Sequence, residues 1–480
     1  MVKITYADTA DLHNVMNHKG EQMEKVNRSI SVIFTAIMLA AGVYWATHAS
    51  SWTFMGTAAA VACYGLFTAA GLRAIPAFTG YIAAGRVQQS ARLEAAADLR
   101  RQAWTKILVW VLLSRVLLLI AAYAFLIIKN GYTGSLDDYL NQAWHVTGID
   151  APSYLGIAEN WYVTEGDPRF HIVFLPFFPV LIKVVHFFTN NYLAAGYTVA
   201  NLCTVAFALV AYELAALDMD RKDALRVVKY MFIFPAAFFF LLPMTESLFL
   251  LLSLLSIYLV RQKKWLFACL CAALAGFTRS PGVLLAVPIA VELWRDLAET
   301  YKSAHKKVFK RKLAAAAGCL AIVPLGLLAY LYINYAVHGN ALQFSIYQRE
   351  HWFQRQYLFF DTVRYQMEYA VGKFKEGDSR SLFGLWLPNL LAIFTTLYVM
   401  LRSAKKLHPS YTAYMIVYFV FVTGPTWLLS APRYLAAAFP LAFAVVLLTK
   451  SKAKDVAITV LCVAGSLLYL AMFVWGYPIY

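Results

Sequence analysis

The chain has 480 residues, of which 61% are apolar, 16% aromatic and 14% charged, with a formal net charge of +16. Soluble domains run at about 45–50% apolar and about 25% charged residues, so this composition excludes a soluble globular protein and a disordered chain. The positive excess is what the cytoplasmic loops of a polytopic membrane protein collect beside anionic lipid headgroups, and no nucleic-acid partner is expected.

Apolar runs occur at 30–49, 54–73, 106–128, 192–217, 227–243, 246–260, 265–279, 282–294, 313–336, 383–402, 411–429, 433–449 and 455–475. A span takes about 20 such residues, and lipid offers no partner to open backbone. The runs are unbroken rather than alternating, which excludes a β-barrel. The expected fold class is an all-α integral membrane protein, a polytopic helical bundle of about 13 transmembrane helices. The residues up to Arg28 are polar, so the first apolar run reads as a span rather than a cleavable signal. Residues 1–105 read as an N-terminal module of two spans and an amphipathic cytoplasmic stretch, Gly85 to Gln102, and 106–480 as the main membrane domain.

Lys and Arg cluster at 73–106, 261–264, 295–312, 402–406 and 450–454. Placing these inside makes the intervening loops alternate and leaves two long outer loops, 129–170 and 337–382. The stretch from His171 to Phe188 breaks the alternation. It contains Pro176, Pro179 and Lys183 and reads as re-entrant, interfacial or half of an irregular pair. Connections this long are functional or disordered as a rule. Cys63, Cys203, Cys269, Cys271, Cys319 and Cys462 lie in apolar runs without CxxC spacing, so neither disulfides nor a metal centre are expected.

Asp150 stands before Ala-Pro, where its side chain can cap the helix that Pro152 starts. Tyr154, Leu155, Ile157, Ala158 and Trp161 then form an apolar face at helical spacing. Glu246 follows Pro243 and reads either as a helix cap or as a group that orients a substrate. Arg279 and Arg433 lie at outer ends of spans, against the usual charge bias, and the segment from Gln348 to Arg355 interleaves cations with aromatics. Arg115 lies within a span and is expected in a structural ion pair, while Asp218 and Asp220 are expected in a solvated cytoplasmic turn. Asp137 and Asp138 are a less well matched rival to Asp150.

The segment from Asp150 to Tyr162 resembles the aspartate motif of the PIG-V family, the enzymes that add the second mannose to glycosylphosphatidylinositol, and of their bacterial relatives. Asp150-Ala151, Tyr154-Leu155, Ile157-Ala158 and Tyr162 match, whereas Ile149 replaces the usual Trp and Trp161 the usual Gly. Similar elements follow in order: Phe174 to Pro179, Phe234 to Phe239, Thr245 to Phe249, Thr278 to Gly282 and Ser430 to Tyr434. The resemblance spans roughly 106–450. It implies a GT-C-like membrane glycosyltransferase, most specifically a mannosyltransferase. Such an enzyme takes its sugar from a polyprenyl- or dolichyl-phosphate donor and passes it, with inversion, to a lipid-linked or glycan acceptor on the extracytoplasmic side. The membrane is then a bacterial plasma membrane, or the endoplasmic reticulum in a eukaryote. Asp150 maps onto the catalytic carboxylate.

The chemistry of transfer gives the other candidates roles. A carboxylate takes the proton of an attacking hydroxyl, and the leaving lipid phosphate needs fixed cations, for which the Arg fork is best suited. Arg279, Arg433, Arg349 and Arg355, helped by His351, are the expected phosphate ligands. Glu246, Tyr154, Trp352, Tyr434 and His171 are expected to orient substrates, and no cofactor or metal is called for. The rival reading is a transporter or flippase for a lipid-linked or anionic solute.

Overall fold

The computed structural model describes residues 6–49, 52–83, 97–131, 135, 138, 149–303 and 305–480. The stretch from Gly85 lies outside these residues as far as position 96, and so does Asp137. Among the described residues the regular elements are helices, apart from a single β-bridge between Gln356 and Pro425. The all-helical architecture expected from the apolar runs is the one the chain adopts.

A hairpin of α1 (Tyr6–His48) and α2 (Phe54–Ala83) precedes α3 (Ala97–Asn130). The described part of the first outer segment contributes α4 (Ala151–Asn160) and a 3₁₀ turn (Asp167–Val173). That turn bends by 112° into α5 (Phe177–Thr189), with Pro176 as the residue that starts the new helix. The stretch from His171 to Phe188 is therefore a broken helix pair.

The body continues with α6 (Tyr192–Ala216), α7 (Arg221–Ile233), α8 (Glu246–Arg261), α9 (Trp265–Thr278) and α10 (Ala286–Ser303). After α11 (Lys306–Leu320) and α12 (Leu325–His338), the second outer segment folds largely as helix, in α13 (Gln343–Glu350) and α14 (Phe359–Glu376). The chain closes with α15 (Leu387–Ser403), α16 (Pro409–Thr423), α17 (Ala431–Ala436), α18 (Pro440–Leu448) and α19 (Lys452–Val474).

Seven helical segments among the described residues are long and apolar enough to cross a bilayer: Glu21–His48, Phe54–Ala83, Asp98–Asn130, Tyr192–Ala216, Lys306–His338, Ser379–Ser403 and Lys452–Val474. Several other apolar runs are interrupted by proline, which removes a backbone donor and pushes its predecessor out of the helical region. Pro235 stops α7 ahead of a 3₁₀ turn, Pro281 opens a turn before α10, and Pro440 divides α17 from α18. Val32, Ile33 and Ile37 of α1 and Leu112, Leu113 and Val116 of α3 are exposed, a face that only lipid suits.

Helix direction sorts the charges into two ends. At one end Arg100 pairs with Glu213, Lys263 and Lys312 meet Asp296, and Arg226 and Lys229 meet Asp455. The described residues of the basic clusters at 261–264, 295–312 and 450–454 lie at this end. At the other end, α8 begins at Glu246 and α9 finishes next to Arg279.

One expectation changes. Arg115 makes no ion pair: its guanidinium is buried without a hydrogen-bond partner among the described residues and lies 5.0 Å from the Phe232 ring. Asp218 and Asp220 lie in an exposed turn, as expected, and both are also engaged by the protein. Asp220 caps α7 by accepting from the Asp223 N–H, while Asp218 binds Arg261 at 2.8 Å and accepts from the Tyr411 hydroxyl at 3.0 Å. Burial alone would raise the Asp218 pKa, but the paired Arg261 guanidinium holds it below the ordinary carboxylate range.

A carboxyl held below its unfolded pKa contributes stability that is complete above about pH 4 and is lost as pH falls through the lower folded value. Asp218→Asn is therefore expected to lower the unfolding temperature in detergent near pH 7, by the equivalent of about 2 kcal/mol. The gap to wild type should close on acidification below about pH 4; thermal scans of both proteins across pH check this.

Candidate active site

Asp150 occupies the N-cap position of α4, yet its side chain caps nothing. Pro152 sits in the first turn and has no N–H, so one of the orphan donors that a cap would serve is missing. The freed carboxylate accepts a hydrogen bond from Arg433 Nη2 at 2.8 Å. Its side chain is 31% exposed, whereas that of Arg433 is 4% exposed. Asp150 is thus the water-accessible member of an otherwise buried pair.

Arg433 lies on the short helix α17, and its guanidinium reaches two carboxylates. Nη2 serves Asp150, and Nε lies 3.3 Å from Glu246 Oε1, while Nη1 has no hydrogen-bond partner among the described residues. Glu246 is 1% exposed in the first turn of α8, where the helix dipole favours a negative charge. It does not act as a cap. Its Oε1 pairs with Arg279 Nη1, which also donates to Thr245 Oγ1 at 3.1 Å, and its Oε2 has no hydrogen-bond partner among the described residues.

Arg279 occupies the extended residue between α9 and the 3₁₀ turn that follows. The Tyr434 ring lies 5.0 Å from each guanidinium, so both cations contact one aromatic side chain. Tyr434 is itself tied down through its carbonyl, which accepts from the Tyr418 hydroxyl at 2.9 Å.

Two arginines and two carboxylates thus form a cluster without net charge. Withdrawing four charges from water costs several kcal/mol per ion before pairing offsets it, so hydrophobic side chains would fill the space at less cost. Retained buried charge with spare donor and acceptor atoms is the signature of a functional site.

Tyr154 of α4 is buried beside this cluster, its ring 5.2 Å from Phe174 and 5.7 Å from Phe178. Burial and the neighbouring Asp150 carboxylate push its phenol well above the ordinary range, so it stays a neutral donor. Outward from Tyr154 the aromatic layer continues. Phe174 meets His171 and Trp352, each at 6.2 Å, and Phe170 stacks on His351 at 3.9 Å.

The structure brings Asp150, Glu246, Arg279, Arg433, Tyr434 and Tyr154 together. His171, His351 and Trp352 sit in the aromatic layer beside them. Arg349 and Arg355 stand apart. Arg349 is exposed 3.6 Å from Glu350, and Arg355 is exposed with its backbone paired to Thr426. Thr245, Tyr418, Phe170 and Phe174 also belong to the site. Their signal in sequence is weak because aromatic and hydroxyl side chains are common in membrane helices. Asp138 is engaged with Ser135.

Neither protein-family models nor curated proteins match the chain. Among solved structures it is similar to the Archaeoglobus fulgidus oligosaccharyltransferase in complex with Zn and sulfate, at 15% identity and a TM-score of 0.39, covering 76% of this chain and 52% of that one. Archaeal oligosaccharyltransferase AglB from the same organism, in complex with an inhibitory peptide and a dolichol-phosphate, aligns at 12% identity and a TM-score of 0.35, covering 77% and 56%. The apo form aligns at 12% identity and a TM-score of 0.37, with the same coverage. The chain spans a little over half the length of these proteins. What the helices themselves define is an all-α protein with several membrane-crossing segments; function rests on the side chains that meet at the site.

Glu246→Gln leaves two buried guanidinium groups facing each other with half their counter-charge and is expected to destabilise the protein by about 3–5 kcal/mol. Asp150→Asn keeps an acceptor for Arg433 at the wetter edge and should cost about 1–2 kcal/mol. Unfolding temperatures measured side by side in one detergent rank the two.

Proposed function

We propose that the chain is an integral-membrane glycosyltransferase of the GT-C kind, and within that class a mannosyltransferase resembling the PIG-V family. It moves a sugar from a polyprenyl- or dolichyl-phosphate donor to a lipid-linked or glycan acceptor. The observation that carries this reading is the half-exposed Asp150 carboxylate paired with a buried Arg433, next to Arg279 and Glu246.

The acceptor hydroxyl attacks the anomeric carbon as the bond from that carbon to the donor's phosphate oxygen breaks. Asp150 takes the hydroxyl proton, and the bonding electrons leave with the lipid phosphate. A donor phosphodiester carries one negative charge and the departing monoester two, so negative charge grows where the arginines lie. Fixed donors aimed at such a developing charge stabilise the transition state more than the ground state. Arg433 Nη1 has no hydrogen-bond partner among the described residues, and Arg279 lies against the same Tyr434 ring. Glu246 keeps both forks oriented, and Tyr154 supplies a neutral hydroxyl beside Asp150. A single displacement inverts the centre, so a β-linked donor yields an α-linked product.

The site lies at the end of the bundle opposite the basic clusters. Since unpaired Lys and Arg mark the cytoplasmic side, this supports an extracytoplasmic active site. Cysteine introduced at exposed Glu159 should react with a membrane-impermeant maleimide added outside intact cells; labelling only after permeabilisation reverses the orientation.

Arg115, within a span and without a hydrogen-bond partner among the described residues, favours the second reading, a transporter or flippase. Purified protein in nanodiscs, supplied with radiolabelled polyprenyl-phosphate mannose and a glycolipid extract, separates the two by whether label reaches an acceptor. Asp150→Ala is expected to cut transfer by about 10²–10⁴-fold with donor binding kept. Near-normal turnover in the folded variant overturns the assignment.

A further inference from the structure

The backbone that delivers Arg433 is irregular. Residues 424–430 run without helix between α16 and α17. Backbone polar groups buried away from water must find partners. Here the partners come from other elements. The Leu428 carbonyl accepts from Gln366 Nε2 of α14 at 2.6 Å and from Asn389 Nδ2 of α15 at 3.1 Å. The Leu428 N–H donates to the Tyr365 hydroxyl at 2.5 Å.

Asn389 then does a second thing. Its Oδ1 accepts the N–H of Ala431, the first residue of α17, at 3.1 Å, while its Nδ2 also donates to Gln366 Oε1 at 3.2 Å. Ser430 at the N-cap position makes no side-chain capping bond, and Pro432 has no N–H. Asn389 therefore caps α17 from a different helix. Gln366 is 0% and Asn389 1% exposed. A carboxamide so deeply buried is costly unless each of its groups is bonded, and these two bond to each other and to the one segment leading into Arg433.

We infer that Gln366 and Asn389 are positioning residues for the reaction: together they fix the start of α17 so that the Arg433 fork, two residues further on, meets Asp150 and Glu246. This rests on the glycosyltransferase reading of the site. A shift of about 1 Å at a reacting group can cost 10²-fold in rate, and α17 is a six-residue helix whose start is held by these bonds, with the Tyr418 hydroxyl holding the Tyr434 carbonyl further along.

The test is a double-mutant cycle with a structural arm. Asn389→Ala and Gln366→Leu should each lower kcat for transfer by about 10–100-fold, with the donor KM changing much less. Asn389→Asp in its protonated form retains an acceptor for Ala431 and a donor for Leu428, and should recover to within a few-fold of wild type. In an Arg433→Lys background, Asn389→Ala should add less than about a three-fold further loss, because coupled residues are non-additive. Full additivity, or an unchanged kcat in folded Asn389→Ala, overturns the inference. If that variant does not fold, Gln366→Leu carries the same cycle.

Cryo-electron microscopy of the folded alanine or leucine variant should show Arg433 out of hydrogen-bond reach of Asp150; an unmoved guanidinium overturns the inference independently of activity. If wild-type protein transfers no sugar, the glycosyltransferase reading falls, and this structural comparison alone decides the positioning claim.

Discussion

The Arg433 guanidinium is the point through which the site is held together. It is 4% exposed, it touches Asp150 ahead of α4 and Glu246 on α8, and it shares Tyr434 with Arg279 from the end of α9. Burying any of these groups alone is costly, because an uncompensated ion in a low-dielectric interior costs several kcal/mol, a large part of the folded state's margin. The elements that carry them are therefore locked to one another by charge, over and above their apolar packing. A site built this way is preorganised: its donors point inward before any substrate arrives, so little reorganisation is left for the chemical step. Within the cluster the positive charge is already cancelled, and Arg433 Nη1 is the part of the fork without a hydrogen-bond partner among the described residues.

Membrane burial imposes a second constraint. Broken helices gather around the cluster: the bend at Phe174 to Pro176, the 3₁₀ turn after Arg279, the proline-interrupted stretch before Glu246 and the irregular segment before Arg433. Non-helical backbone survives at such depth only where protein groups satisfy it. The side chains that do so are fixed by that task, as Tyr162 is by its bond to the Phe174 carbonyl at 2.6 Å and Tyr330 by its bond to the Ile172 carbonyl at 2.6 Å. Irregularity thus brings residues distant in sequence to one point, and the bonds that satisfy it make that point rigid.

How far the sequence disclosed this follows from which forces are local. Long apolar runs announce helices because lipid leaves no alternative, so the helical class and the longest segments were readable. The proline-broken runs were not, since hydrophobicity alone does not say where a helix stops. Glu246, Arg279 and Arg433 stood out as charges at span ends, and Asp150 as the acid before Ala-Pro in a long loop, features visible without a fold. Their mutual pairing was hidden because it joins positions 150, 246, 279 and 433 through tertiary structure. The same blindness put Arg115 in an ion pair that it does not make among the described residues, and hid the bonds from Arg261 and Tyr411 that hold Asp218 in its exposed turn. Gln366 was concealed by its polar outer segment, whereas Asn389, a lone amide in the run 383–402, was the one signal a stricter search for intramembrane polar groups would have caught.

The cluster also reconciles Arg279 and Arg433 with the charge asymmetry of the rest of the chain. Exposed lysines such as Lys306, Lys307, Lys405 and Lys406 lie at the basic end, where their charge faces solvent and headgroups. The topological bias acts on charge that must be carried through or held back by the membrane. Arg279 and Arg433 present almost none, because Glu246 and Asp150 cancel it within hydrogen-bond distance. Two arginines on the opposite side are thus compatible with the bias as long as their carboxylates accompany them. Charge neutrality of the cluster serves orientation as well as burial: it lets the bundle keep two arginines at an end where unpaired cations would oppose the topology.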